Sequence, residues 1–169
     1  AIDGGNGLLY IGHVDWGFSI LSIKDKTVKN FTHEPQTPNS LPGNEVTCVY
    51  KDKSGNIWIG TDRGVVLFNP EAESFIPFDD KTNCISYRVY DIRQLDDNRL
   101  WIAMEFGGIA VVDLSQQLFR SSDQIHALSI REGDDEYGMS HSSIRCLLQD
   151  SIGNVWAGCW GGGINLIQR

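Results

Sequence analysis

Positive charge is scarce in this chain. Its 169 residues hold 14 lysines and arginines against 22 aspartates and glutamates, a formal net charge of −8 at neutral pH. A surface of that sign repels phosphate, so nucleic acid is not expected as a partner. Long apolar runs are missing too: none approaches the roughly 20 residues that a helix needs to cross a bilayer. No secretory leader is read in it. The chain opens at Ala1 without an initiator methionine, so it is expected to be processed or excised from something longer. Cys48, Cys84, Cys146 and Cys159 form no Cys-x-x-Cys pair, so no metal is expected. Cys48 and Cys146 sit in strand-like runs, Val-Thr-Cys-Val-Tyr and Ile-Arg-Cys-Leu-Leu, and are expected to be buried as small apolar side chains. Whether any cysteines pair is open at this point. No convincing helical period extends over roughly 11 residues.

What the chain does have is globular composition, 41% hydrophobic and 21% charged, with 18 glycines that signal many turns. Its length suggests one domain. Above all it repeats. Tyr10, Trp58, Trp101 and Trp156 anchor four similar segments, spaced by 48, 43 and 55 residues. That is the period of a propeller blade, not of a helical solenoid. Three residues before the anchors stand Gly7, Gly55, Asn98 and Gly153, types that tolerate the positive φ of a tight hairpin. Two residues after them stand Gly12, Gly60, Ala103 and Gly158, all small, as a crowded contact between neighbouring sheets requires. Gly17, Gly64, Gly108 and Gly163 then open a second apolar run. Val46, Val89 and Ile144 lie 12 residues before the last three anchors and mark a further strand.

Each unit therefore reads as three strands and a weaker fourth, rich in Val, Ile, Trp and Tyr and bounded by Gly, Asn and Asp. The expected fold is all-β: a β-propeller of about 3.5–4 four-stranded antiparallel blades, an incomplete part of a larger ring. The units are expected near 1–43, 44–86, 87–141 and 142–169. The first is expected to lack most of its first strand, and the last to stop after its third. Residues 121–143 form an insertion in which Ile125–Ile130 could be a strand and the acidic run after it a solvated loop. A partial ring leaves apolar faces and open edges, so either further blades or self-association should cover them.

These residues resemble the two-component regulator propeller repeat. Val46-Thr-Cys-Val-Tyr-Lys-Asp-Lys-Ser-Gly-Asn-Ile-Trp-Ile-Gly-Thr carries its apolar strand, Asp-x-x-Gly-Asn turn and aliphatic-Trp-aliphatic-Gly-Thr run, and the segment from Ile144 to Ile164 nearly does. The Asn39-Ser-Leu-Pro-Gly-Asn lead-in fits as well. The third unit departs, with Asp96-Asp-Asn-Arg at the turn and Ala103-Met104 for Gly-Thr, and the first has Tyr10 for Trp. The resemblance implies the periplasmic sensor region of a membrane receptor, commonly a hybrid two-component histidine kinase of Bacteroidetes. It implies seven-bladed propellers, a membrane-proximal domain beyond them, and oligosaccharide ligands. This chain would then carry neither kinase nor membrane span.

Function is expected where the repeats differ. The loops between second and third strands hold His13, Asp15 and Trp16; Asp62 and Arg63; Glu105 and Phe106; and Cys159 and Trp160. Trp16, Phe106 and Trp160 stand off the repeat columns. An aromatic face beside Asp, Glu or Arg suits a sugar, which offers C–H patches and hydroxyls together. Alternatively these aromatics cover blade junctions. The anchors Tyr10, Trp58, Trp101 and Trp156, with Gly12, Gly60 and Gly158, are read as structural, and the Asp52 turn as a hairpin.

Catalytic readings are thin. His13 and Asp15 could act as an acid–base pair, but no third group orients them. His33, His126 and His141 read as solvated or packing. Asp134, Asp135 and Glu136 lack the spacing of a calcium loop. Gly161–Gly163 leads into a strand, not the helix that a phosphate loop needs. No Gly-x-Ser-x-Gly elbow occurs, and no cofactor is expected. The favoured reading is a ligand-sensing, extracytoplasmic part of a receptor. The alternatives are a generic protein-interaction propeller and a propeller-type glycan lyase or hydrolase.

Overall fold

The computed structural model describes residues 1–77, 86–95, 98–115, 127–130, 133 and 138–167. Cys84, His126 and the acidic run 134–136 lie outside these residues. The described residues form four antiparallel sheets, each built from strands consecutive in the chain. The first holds β1 (Ile2–Gly5), β2 (Leu8–Gly12), β3 (Phe18–Ser22) and β4 (Thr27–Phe31). The second holds β5 (Val46–Lys51), β6 (Ile57–Thr61), β7 (Gly64–Asn69) and β8 (Ser74–Pro77). The third holds β9 (Val89–Gln94), β10 (Arg99–Met104), β11 (Gly108–Asp113) and β12 (Ala127–Ile130). The fourth holds β13 (Ile144–Gln149), β14 (Val155–Cys159) and β15 (Gly163–Ile167). First strands of successive sheets pack side by side, β1 on β5, β5 on β9 and β9 on β13. Sheets that converge on their first strands are the blades of a β-propeller.

One expectation is corrected here. The first sheet keeps a short first strand, because Asn6 and Gly7 take φ of 53° and 78° and turn Ile2–Gly5 back onto Leu8–Tyr10. Positive φ at both central residues is the hairpin turn that an Asn-Gly pair favours.

Each blade buries one face on the next. Between the first two sheets lie Tyr10, Phe18, Val46, Ile59, Phe68 and Phe75, with Phe18 and Phe68 ring centroids 5.2 Å apart. Between the second and third lie Trp58, Leu67, Val89, Ile92, Leu100 and Ile102. Between the third and fourth lie Trp101, Ile109, Val111, Ile144, Leu147 and Val155. The small column allows this approach: a Cβ on Gly60 would come within 2.7 Å of Val89 Cγ1, and one on Gly12 within 2.4 Å of Val46 Cγ1.

The fourth sheet shows the same face uncovered. Leu148, Trp156 and Leu166 pair across it, and they are 65%, 36% and 40% exposed. Cys146 lies there too and is exposed, against the expectation that it is buried; its burial needed a following sheet, not only an apolar run. The equivalent Cys48 is covered, and burial pushes its thiol up to about 12.

The turn beneath each anchor differs among blades. In the second, Asp52 is buried and accepts four hydrogen bonds. Its Oδ1 takes the backbone N–H of Ser54 and Asn56, both at 2.9 Å. Its Oδ2 takes Asn56 Nδ2 at 2.8 Å and Trp58 Nε1 at 2.9 Å. The carboxylate thus ties turn and anchor together. Asp150 repeats this with Ile152, Asn154 and Trp156. In the third blade Leu95 holds the equivalent position, and the Trp101 indole N–H is buried without a partner among the described residues.

Candidate functional site

The second residue of each complete first strand is unpaired. Register slips between Val46 and Cys48, across the β9 residues that pair with Ala103 and Met104, and between Ile144 and Cys146. The skipped residues are Thr47, Tyr90 and Arg145. Such a bulge re-aims its side chain and recurs beside functional sites.

These bulges sit where the second-to-third-strand loops meet the lead-ins of the first strands. Backbone N–H groups stitch the two: Val46 donates to the His13 carbonyl at 2.8 Å, Asp62 to Glu45 at 3.0 Å, Glu105 to Arg88 at 2.8 Å and Trp160 to Ser143 at 2.9 Å. The loops singled out from sequence therefore share one end of the blades with the lead-ins.

A connected cluster spans the second to fourth blades there. Arg88 grips Glu45 with both terminal nitrogens. The Tyr90 hydroxyl donates to Glu105 Oε1 at 2.8 Å. Burial first, and then the bond to Glu105 and its charge, holds the Tyr90 phenol above its ordinary pKa. Arg145 Nη2 lies 3.4 Å from the same Glu105 oxygen. The Arg145 guanidinium carbon lies 3.8 Å from the Tyr90 ring centroid and 4.8 Å from that of Trp160, a cation held between two aromatic faces. Arg145 Nε and Asp62 Oδ1 are buried with no hydrogen-bond partner among the described residues. Orphaned buried polar atoms are rare in native proteins and need an account.

Of the residues expected from sequence, Glu105 and Trp160 join this cluster. Trp160 is 66% exposed, so most of its ring is open to solvent. Phe106 adjoins Glu105, is exposed and holds φ of 59°. Asp62 and Arg63 sit on the neighbouring blade with Arg63 Nε 3.7 Å from Asp62. Asp15 and Trp16 are exposed on the first blade. His13 there bonds to Ser19 Oγ at 2.8 Å, and Ser19 gives its only proton to Asn30 Oδ1 at 2.7 Å. His13 Nε2 is therefore the donor to Ser19, the reverse of what a base activating a serine needs. His33 donates from Nδ1 to the Leu41 carbonyl at 2.6 Å, and His141 Nδ1 accepts from Ser143 at 3.0 Å. Among the described residues, no group of three or more His, Cys, Asp or Glu could hold a metal, and no helix is long and apolar enough to cross a membrane.

Glu45, Arg88, Tyr90 and Arg145 were missed from sequence. The signal was present: a charged or bulky polar residue flanks each of Val89 and Ile144 where an apolar strand begins.

Comparison with known proteins agrees with this architecture. Residues 40–63 and 138–161 match the two-component regulator propeller, and each runs from a first-strand lead-in into the following loop. The extracellular domain of a hybrid two-component system from B. thetaiotaomicron is 48% identical, with a TM-score of 0.79 over 99% of this chain and 20% of that one. A second such domain from the same organism is 23% identical, with a TM-score of 0.77 over 97% of this chain and 22% of that one, which supports the fold alone. A histidine kinase of Formosa agariphila is 30% identical over 86 residues, 47% of this chain and 6% of that protein. The chain thus spans about a fifth or less of these relatives' length.

Proposed function

We propose that this stretch of two-component regulator propeller repeats is part of the ligand-sensing, extracytoplasmic region of a receptor, and that it recognises an oligosaccharide. A periplasmic setting and a kinase elsewhere in the parent protein belong to the same reading. The observation that carries it is the Arg145 guanidinium set over the Tyr90 and Trp160 rings and paired with Glu105, whose sequence neighbour Phe106 is exposed. A sugar ring lays its C–H face on an aromatic ring and exchanges hydrogen bonds with guanidinium and carboxylate at its rim. To signal, it must bind one arrangement of the receptor better than another. The open face of the fourth sheet supports a further blade of the parent there, since the equivalent face of the second sheet is covered by the third.

The test is binding by the intact protein. Trp160→Ala is expected to weaken oligosaccharide affinity by about tenfold or more, as loss of a central aromatic contact does. Unchanged affinity at unchanged stability would remove the reading. A protein-interaction module is the competing outcome, and a glycan-independent partner would establish it.

A further inference from the structure

We infer that the end of the blades built by Tyr90, Arg145 and Trp160 selects an uncharged oligosaccharide over an acidic one. This rests on the carbohydrate reading above and narrows it. The basis is charge pairing. Among the described residues, Arg63, Arg88 and Arg145 are the cations at this end, and each already has a carboxylate: Asp62, Glu45 and Glu105. The described cluster is therefore neutral in sum, with each of these cations already facing a carboxylate.

A uronic acid binding at Arg145 would either strip it from Glu105 or set two carboxylates side by side. Like charges at close range disfavour each other. Glu105 also anchors the Tyr90 hydroxyl, so displacing it would leave that phenol without its acceptor. A neutral hydroxyl makes neither demand, because it can donate to Glu105 and accept from Arg145 in the same position. The exposed ring of Trp160 offers a stacking surface to any pyranose, charged or not. Selection thus falls to the paired charges, and the overall acidic balance of the chain adds repulsion in the same direction.

The experiment uses two probes on the intact protein, a pool of neutral glucan, mannan and galactan oligosaccharides and a pool of oligogalacturonates. Each is measured by calorimetry at low and high salt. The expected result is binding of the neutral pool with salt-insensitive affinity and no binding of oligogalacturonate. Glu105→Gln, which keeps an acceptor for Tyr90 but frees the Arg145 charge, is expected to gain oligogalacturonate affinity by about tenfold or more. Salt-sensitive binding of oligogalacturonate by the parent overturns the selectivity and leaves the carbohydrate reading standing. A folded E105Q that gains no acid affinity overturns the charge-pairing cause, and with it the inference. Binding of neither pool by the folded parent overturns the carbohydrate reading itself.

Discussion

The second and third blades solve one problem in two ways. Both bury a tryptophan at the same repeat position, fully for Trp58 and nearly so for Trp101. In the second, Asp52 receives the indole N–H and three further donors from its own turn. In the third, Leu95 fills the same place with apolar volume, and the Trp101 N–H is orphaned among the described residues. The difference shows that burial of the ring is the common requirement, while the carboxylate adds a tie between ring and turn. The fourth blade separates the two effects: it has the tie through Asp150 but, among the described residues, no covering sheet, and Trp156 is 36% exposed.

Breaking the tie in the second blade should have the largest effect. Asp52→Ala orphans the Trp58 N–H and opens the turn, and a loss of about 3 kcal/mol in urea unfolding is expected, since each buried unmet donor costs about 1–3 kcal/mol. Trp58→Phe is expected to cost about 2 kcal/mol, because it leaves the buried Asp52 carboxylate short of a donor. Trp101→Phe should cost about 1 kcal/mol or less: it gives up ring area but removes an orphaned donor. Equal losses for the two Trp→Phe changes would erase the distinction between the blades.

Acid should act next. The Trp156 indole first, and then Asn154 and Ile152, hold the Asp150 carboxyl below its ordinary value. A carboxyl lowered by folding contributes stability above the unfolded pKa of about 3.9 and loses it as pH falls through the folded value. The stability gap between parent and Asp150→Asn should therefore close as pH drops below about 4. A gap that persists into strong acid would show that the fourth blade does not use this tie.

The smallest effect concerns cover alone. Cys48 and Cys146 occupy equivalent positions, one half-buried under the third sheet and the other open. In the 169-residue chain, an alkylating reagent at mildly alkaline pH should label Cys146 in the folded state and Cys48 only after unfolding, because the reactive thiolate must form at an accessible site. Equal labelling rates would mean that the third sheet does not protect the second.

Much of this was legible in the sequence because turns and anchors are local chemistry. Gly7, Gly55 and Gly153 mark hairpins by their φ, and the Trp columns mark what the sheets bury. Burial against a neighbour was not legible: nothing in Ile-Arg-Cys-Leu-Leu distinguishes the exposed Cys146 from the covered Cys48. Nor were Tyr90 and Arg145, because a one-residue slip in register decides which way a side chain points, and spacing does not record the slip. Glu105 and Trp160 were visible as departures from the repeat. Their partners were hidden inside strands that otherwise read as regular.

The central claim is that residues off the repeat columns hold ligand while those on them hold the fold. The direct test is the affinity of Trp160→Ala in the intact protein for the neutral oligosaccharide pool, read beside its unfolding midpoint. The account predicts affinity lowered about tenfold or more with the midpoint unchanged. Parent-like affinity in a folded Trp160→Ala would contradict it.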